Sequence, residues 1–279
     1  MHRKRLIIAF IILPLAYFYI TKLPAVYFLF LLIAVTAVAQ YEFYSMYRVK
    51  GLLKYTGLAF GAVTILAFSP QPSLPGESRL VGTALGFQPF DLFAVLFIVI
   101  ACMRLFFKRG PESSLLDTAT AVTAIVYIPW LLGYQIYLRN QGYEWIIFLY
   151  GCVWASDSLA YYMGKGIGGR KLYEAISPNK TVAGAVGSIA GGAAGAVILK
   201  TIFISSIALP LFTAVGLGII TGAVTIIGDL VESMFKRDAG IKDSSNIFPG
   251  HGGVLDKIDG VLFAGPVLYW AAIVFGLIK

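Results

Sequence analysis

The sequence predicts an all-α, polytopic integral membrane protein of about nine transmembrane helices with its N-terminus in the cytoplasm. Three observations predict it. Of 279 residues, 58% are hydrophobic and 13% charged, against about 25% charged in an ordinary soluble domain. Apolar stretches of near-spanning length recur along the chain, and lysine and arginine gather on alternate connections between them. The composition excludes a water-soluble globule with a polar surface. It also excludes disorder, which needs low hydrophobicity and high charge.

A bilayer core of ~30 Å asks for about 20 mostly apolar residues per helix. Nine stretches approach this, at roughly 6–21, 24–40, 55–69, 90–107, 118–138, 145–163, 182–208, 210–234 and 259–278. The first two are joined by Thr21, Lys22 and Leu23 and read as a helical hairpin. The basic start, His2-Arg3-Lys4-Arg5, resembles a signal peptide, but the apolar run ends in Tyr17-Phe18-Tyr19-Ile20 without a small-residue cleavage site. It reads as a retained first span.

With the N-terminus inside and nine spans, every lysine and arginine falls on a cytoplasmic segment except Lys22, Arg79, Arg139, Lys200 and Lys279. The positive-inside rule thus supports an odd number of spans and accounts for most of the net charge of +8. A nucleic-acid partner is not implied. Cys102 and Cys152 lie in apolar runs without CxxC spacing, so neither a disulfide nor a thiolate metal site is expected. The external loop at 69–91 has few charges and reads as a connection. Up to residue 140 the chain informs on topology only, its tyrosines (Tyr17, Tyr19, Tyr41, Tyr44, Tyr47) suiting interfacial belts. The expected division is a scaffold of transmembrane helices, 1–140, and a catalytic transmembrane region, 141–279.

Polar residues out of place in a membrane protein cluster after residue 150. Asp157 lies in the sixth span near its cytoplasmic end, where an ionisable group usually faces a polar cavity or a partner. The loop Gly164-Lys165-Gly166-Ile167-Gly168-Gly169-Arg170-Lys171, followed by Ser177-Pro178-Asn179-Lys180-Thr181, combines glycines with cations. It can cradle an anion, with Ser177 and Thr181 adding hydroxyls at the start of the seventh helix. It also suits an ordinary basic cytoplasmic loop, and its spacing is not that of a Walker A motif.

The third group is the densest: Gly228-Asp229 through Glu232-Ser233 to Lys236-Arg237, then Lys242-Asp243, then Pro249-Gly250-His251-Gly252-Gly253 and Asp256-Lys257-Ile258-Asp259. Asp229 and Glu232 are i, i+3 on one helix face; Asp256 and Asp259 repeat the spacing where the ninth helix begins. Carboxylates at this density suit Mg²⁺, which takes a few carboxylates plus substrate phosphates. The glycine-rich turn cannot be regular helix and permits close backbone approach to a ligand. Asp256 alone would also suit a helix cap, Glu232 and Lys236 a surface pair, and His251 a turn.

These residues resemble the phosphatidate cytidylyltransferase family. Its signature runs from a serine through Lys-Arg to Pro-Gly-His-Gly-Gly and Asp-Arg-x-Asp. It is met here at Ser233, Lys236-Arg237, Pro249 to Gly253, Asp256 and Asp259. Asp157 to Tyr161 and Ser177 to Thr181 match two further family features. Two positions depart: Lys257 replaces the usual arginine, which keeps charge but loses bidentate phosphate geometry, and Ala183 stands where a glutamate is common.

The resemblance implies condensation of CTP with phosphatidic acid at the cytoplasmic face of the inner (plasma) membrane. It implies Mg²⁺ on Asp229, Asp256 and Asp259, with room for a second cation. Lys236, Arg237 and Lys257 would hold phosphates. Asp157, Ser177, Lys180, Thr181, Glu232, Ser233, His251, Gly252 and Gly253 would line the substrates. A CTP-dependent polyprenol kinase is the competing enzyme. A transporter is the competing class, carried by Asp157, Asp229 and the glycines of the seventh span. Those glycines also permit a homodimer.

Overall fold

The computed structural model describes residues 17–69, 89–107, 110–203, 209–248 and 252–278. Residues 17–22 are helical, and Pro24 then starts α1 (Ala25–Met46). Arg48 and Gly51, both with positive φ, turn the chain into α2 (Leu52–Ala67). There follow α3 (Pro89–Phe107), α4 (Ser114–Ile125), a π-helical turn at Val126–Trp130, α5 (Leu131–Gln141) and α6 (Tyr143–Gly166). After a β-hairpin come α7 (Val182–Ile198), a second π-helical turn (Leu199–Phe203), α8 (Leu211–Asp238) and α9 (Leu255–Val274).

Among the described residues, five of the nine expected spans are helices long and apolar enough to cross a membrane: Ala25–Met46, Ser114–Gln141, Val182–Ile202, Leu211–Asp238 and Leu255–Val274. The protein is therefore a multi-pass membrane protein. The expected spans at 55–69 and 90–107 form shorter apolar helices, Leu52–Ala67 and Leu92–Phe107. The span at 145–163 is helix α6, of 24 residues, whose apolar run is interrupted by Asp157. The span at 6–21 and the loop at 69–91 lie mostly outside the described residues.

One element departs from a purely helical reading. The basic loop after α6 forms a two-stranded antiparallel hairpin, β1 (Lys171–Tyr173) and β2 (Ser177–Thr181), pairing Lys171 with Thr181 and Tyr173 with Ser177. Gly168 (φ 63°) and Gly169 (φ 85°) supply the left-handed turn that feeds it. Pro178 is tolerated because a two-stranded ribbon has an unpaired edge.

α6, α7 and α8 pack through small residues. A Cβ on Gly192 of α7 would clash with Gly218 O and sit 3.0 Å from Gly222 Cα on α8. A Cβ on Gly191 would lie 2.5 Å from Ala155 O on α6. Ser188 Oγ donates to Gly222 O at 2.9 Å, which ties the same crossing by a hydrogen bond. The α7 glycines are thus occupied by contacts within the chain, as expected where backbones approach closely in a membrane. Their presence needs no dimer.

α9 crosses α8 at Gly228, whose added Cβ would lie 2.5 Å from Asp259 O and 3.3 Å from Gly260 Cα. This crossing sets Asp259 beside the acidic face of α8.

Candidate active site

The acidic residues of α8 and α9 meet where Gly228 admits α9. One carboxylate oxygen each from Asp229, Glu232 and Asp259 lies within 4.8 Å of the others. Glu232 is fully buried, and its Oε1 has no hydrogen-bond partner among the described residues. Asp259 Oδ1 accepts from Gly260 N at 2.8 Å. Ser233 Oγ is 3.5 Å from Asp229 Oδ1, one turn along α8.

Two lysines contact this trio through different members. Lys180 of β2 places Nζ 2.6 Å from Asp229 Oδ2, so the hairpin delivers a cation to the cluster. Lys236 of α8 contacts Glu232 Oε2 and donates to Asp256 Oδ1 at 2.5 Å. Asp157 of α6 has Asp229, Lys180 and Lys257 as its electrostatic neighbours. Five carboxylates (Asp157, Asp229, Glu232, Asp256, Asp259) thus face three lysines (Lys180, Lys236, Lys257). Glu232 is the one of the five that is fully buried, and a buried carboxylate needs compensating positive charge.

The donor set fits a hard divalent cation. It is oxygen-only, compact, and includes a buried carboxylate oxygen without a protein donor. The expected ligand Asp256 lies outside the compact trio, in which Glu232 stands with Asp229 and Asp259. The reason is the turn before α9: Asp256 Oδ2 already accepts from Ser244 N (2.9 Å), Ser244 Oγ (2.7 Å) and Gly253 N (2.7 Å). Asp256 therefore serves the turn and Lys236, close to the helix-cap alternative read from the sequence.

Several expected phosphate-binding groups have structural partners. Thr181 Oγ1 accepts from Gly184 N at 3.1 Å and caps α7. Arg237 donates to Ile176 O (3.3 Å) and Ile241 O (3.1 Å), holding the hairpin against the end of α8. Gly252 (φ 80°) and Gly253 admit the chain's own carboxylates: a Cβ on Gly252 would clash with Asp256, and one on Gly253 with Glu42 and Ser244. Lys257 is exposed and Ser177 half-buried on β2. His251, Pro249 and Gly250 lie outside the described residues.

Two residues escaped the sequence reading. Glu42 of α1 is 2% exposed and meets the turn before α9. Tyr127, on the π-helical turn that holds Pro129, is packed against the rings of Phe43, Phe235 and Phe263. Its hydroxyl has no hydrogen-bond partner among the described residues, and Glu232, Asp259, Asp229 and Asp256 are its electrostatic neighbours. The signals were present: a carboxylate within an apolar helix, and a proline within a span, which interrupts the helical hydrogen-bond ladder.

Residues 3–275 match the cytidylyltransferase family. The chain belongs to that family. It is 35% identical to the phosphatidate cytidylyltransferase of Bacillus subtilis (strain 168) over 261 residues, which cover 91% of this chain and 90% of that protein. It is 31% identical to the phosphatidate cytidylyltransferase of Staphylococcus aureus (strain COL) over 239 residues, covering 85% and 84%. A shorter match, 42% identical over 135 residues and 48% of each chain, is to the phosphatidate cytidylyltransferase of Brucella abortus biovar 1 (strain 9-941). The two long matches reach well beyond the acidic motif, so the chain resembles its relatives in the first half as well, where the sequence shows only hydrophobic helices.

Proposed function

We infer that this chain condenses CTP with phosphatidic acid to give CDP-diacylglycerol and pyrophosphate, as in phospholipid biosynthesis. The observation that carries the reading is the meeting of the signature carboxylates and lysines of α8, α9 and β2 at one point, in a chain similar over most of its length to proteins of that name.

In this reaction a phosphate oxygen of phosphatidic acid attacks the α-phosphorus of CTP. The new P–O bond forms as the bond to the β-phosphate breaks, and pyrophosphate leaves with the electron pair. The nucleophile is already largely ionised, since a phosphate monoester loses its second proton at a pKa of about 6. The protein needs no general base. It must neutralise two anions and hold them in line.

Lys180 and Lys257 are suited to hold phosphate oxygens, Lys180 leaving Asp229 for the incoming anion. Lys236 is fixed between Glu232 and Asp256 and offers an oriented positive charge rather than a mobile one. Asp229, Glu232 and Asp259 would hold Mg²⁺, which supplies charge to the triphosphate when bound. Tyr127 Oη, buried and without a hydrogen-bond partner among the described residues, has the cluster's carboxylates as its electrostatic neighbours. Residues 141–279 would carry the reacting groups, while 1–140 brace them. The lysine and arginine bias supports a site on the cytoplasmic side of the plasma membrane, where a soluble nucleotide meets a lipid headgroup.

The test is formation of CDP-lipid and pyrophosphate from labelled CTP and phosphatidic acid by purified protein in detergent, with Mg²⁺ or EDTA. Metal-dependent CDP-lipid supports the reading. CDP with a phosphorylated lipid alcohol would instead make it a CTP-dependent lipid kinase, and no product under any divalent cation would sink both.

A further inference from the structure

Glu42 is a carboxylate buried in a membrane helix, a placement sustained only where donors compensate it. Its donors come from one place. Oε1 accepts from Ser245 Oγ at 2.6 Å and Val254 N at 3.0 Å, and Oε2 accepts from Leu255 N at 2.8 Å. Val254 and Leu255 are the N-cap and first residue of α9; the N-cap makes no side-chain capping bond, and Asp256 reaches back to Gly253 N, not to Val254 or Leu255. A helix start leaves N–H groups without partners and carries partial positive charge. Glu42 supplies the missing acceptor from a helix more than two hundred residues away in sequence.

The same carboxylate reaches the candidate site through one hydroxyl. Ser244 Oγ lies 3.1 Å from Glu42 Oε2 and 2.7 Å from Asp256 Oδ2, so a single proton serves two carboxylates. Asp256 then takes Lys236, and Lys236 contacts Glu232 of the acidic trio. Gly253 has no side chain because Glu42 and Ser244 fill the space where its Cβ would stand.

We propose that Glu42 is a positioning residue for the reaction: it clamps Ser244 and Ser245 against Val254 and Leu255 at the start of α9, so that Asp256 stays on Lys236. The proposal rests on the reaction inferred above, although the clamp itself can be measured without it. Glu42 need touch no substrate, so its loss should lower kcat and leave KM for CTP nearly unchanged.

The experiment compares wild type, Glu42→Gln, Glu42→Asp and Ser245→Ala as full-length protein in detergent. It reads steady-state CDP-lipid synthesis, thermal melting and amide hydrogen exchange across residues 252–258. In Glu42→Gln, faster exchange at Val254 and Leu255 is expected with kcat down about 10–100-fold, the range seen when groups supporting a site's ligands are removed. Glu42→Asp should recover part of the rate, and Ser245→Ala, which removes one donor, should lose less than Glu42→Gln. Unchanged exchange in Glu42→Gln would overturn the clamp. Faster exchange with full kcat would reduce Glu42 to a helix cap and overturn the positioning role. If Glu42→Gln fails to fold, a folded Ser245→Ala with wild-type exchange and rate would overturn the proposal. A wild type that makes no CDP-lipid would sink the reaction, whereas the exchange measurement would still decide the clamp.

Discussion

Glycine does different work in the two halves of this protein. In the first half each tight glycine makes room for a side chain: Gly57 for Tyr44, Gly61 for Gln40 and Gly133 for Phe68. In the second half Gly151, Gly195, Gly252, Gly253 and Gly260 also make room for side chains, but at the crossings of α6, α7, α8 and α9 glycine makes room for another backbone as well: Gly191 for Ala155, Gly192 for Gly218 and Gly222, and Gly228 for Asp259. The first half is therefore spaced by rings, with Phe68 lying 5.0–5.8 Å from Tyr137, Tyr134 and Trp130. The helix crossings of the second half are spaced by main chain. Lipid offers no hydrophobic drive between helices, so both solutions rest on packing. The lesson concerns precision: main-chain contact fixes where Asp229, Glu232 and Asp259 stand, while ring packing lets the first half lend Glu42 and Tyr127 to the site.

This contrast can be broken from either side. The largest stability effect is expected from Phe68→Ala, which removes the ring at the centre of the aromatic cluster; about 3 kcal/mol should be lost in detergent unfolding. Asp256→Asn strips the charge that holds Lys236 and should lower kcat/KM about 100-fold, or about 2.7 kcal/mol, in the CDP-lipid assay. Gly192→Ala pushes α7 from α8 and should cost about 2 kcal/mol in stability. If it proves neutral, main-chain contact is not what sets the second half. Tyr127→Phe should lower the rate about tenfold, at unchanged or slightly raised melting temperature, because the lost hydroxyl has no partner to leave stranded. The smallest effect belongs to Gly216→Ala, on α8 but facing nothing within 4 Å; it should stabilise by about 0.5 kcal/mol. Opposite signs at Gly192 and Gly216 would sharpen the distinction between a glycine needed for contact and one merely tolerated.

Much of the site could be read in advance where its residues share a helix face. Asp229 with Glu232, and Asp256 with Asp259, were paired by the helical period alone. The roles within those pairs were not, because Asp256 and Asp259 turn to different partners: Asp256 to Ser244, Gly253 and Lys236, Asp259 to the trio. Thr181 and Arg237 have structural partners that the sequence does not reveal, because hydroxyls and guanidinium groups serve helix caps and loop carbonyls as readily as phosphates. The basic loop concealed a hairpin since its strands are too short to alternate recognisably.

The sequence by itself determined the membrane class, the position of most spans and the residues that carry charge into them. These follow from composition, length and local period, which need no partner. Tertiary structure alone decided that Glu232 completes the trio, that Asp256 anchors Lys236, and that Glu42 and Tyr127 join them. Glu42 and the amides it caps are more than two hundred residues apart, and no periodicity spans that distance. Only the crossing of α1, α8 and α9 brings them within reach of one hydrogen bond.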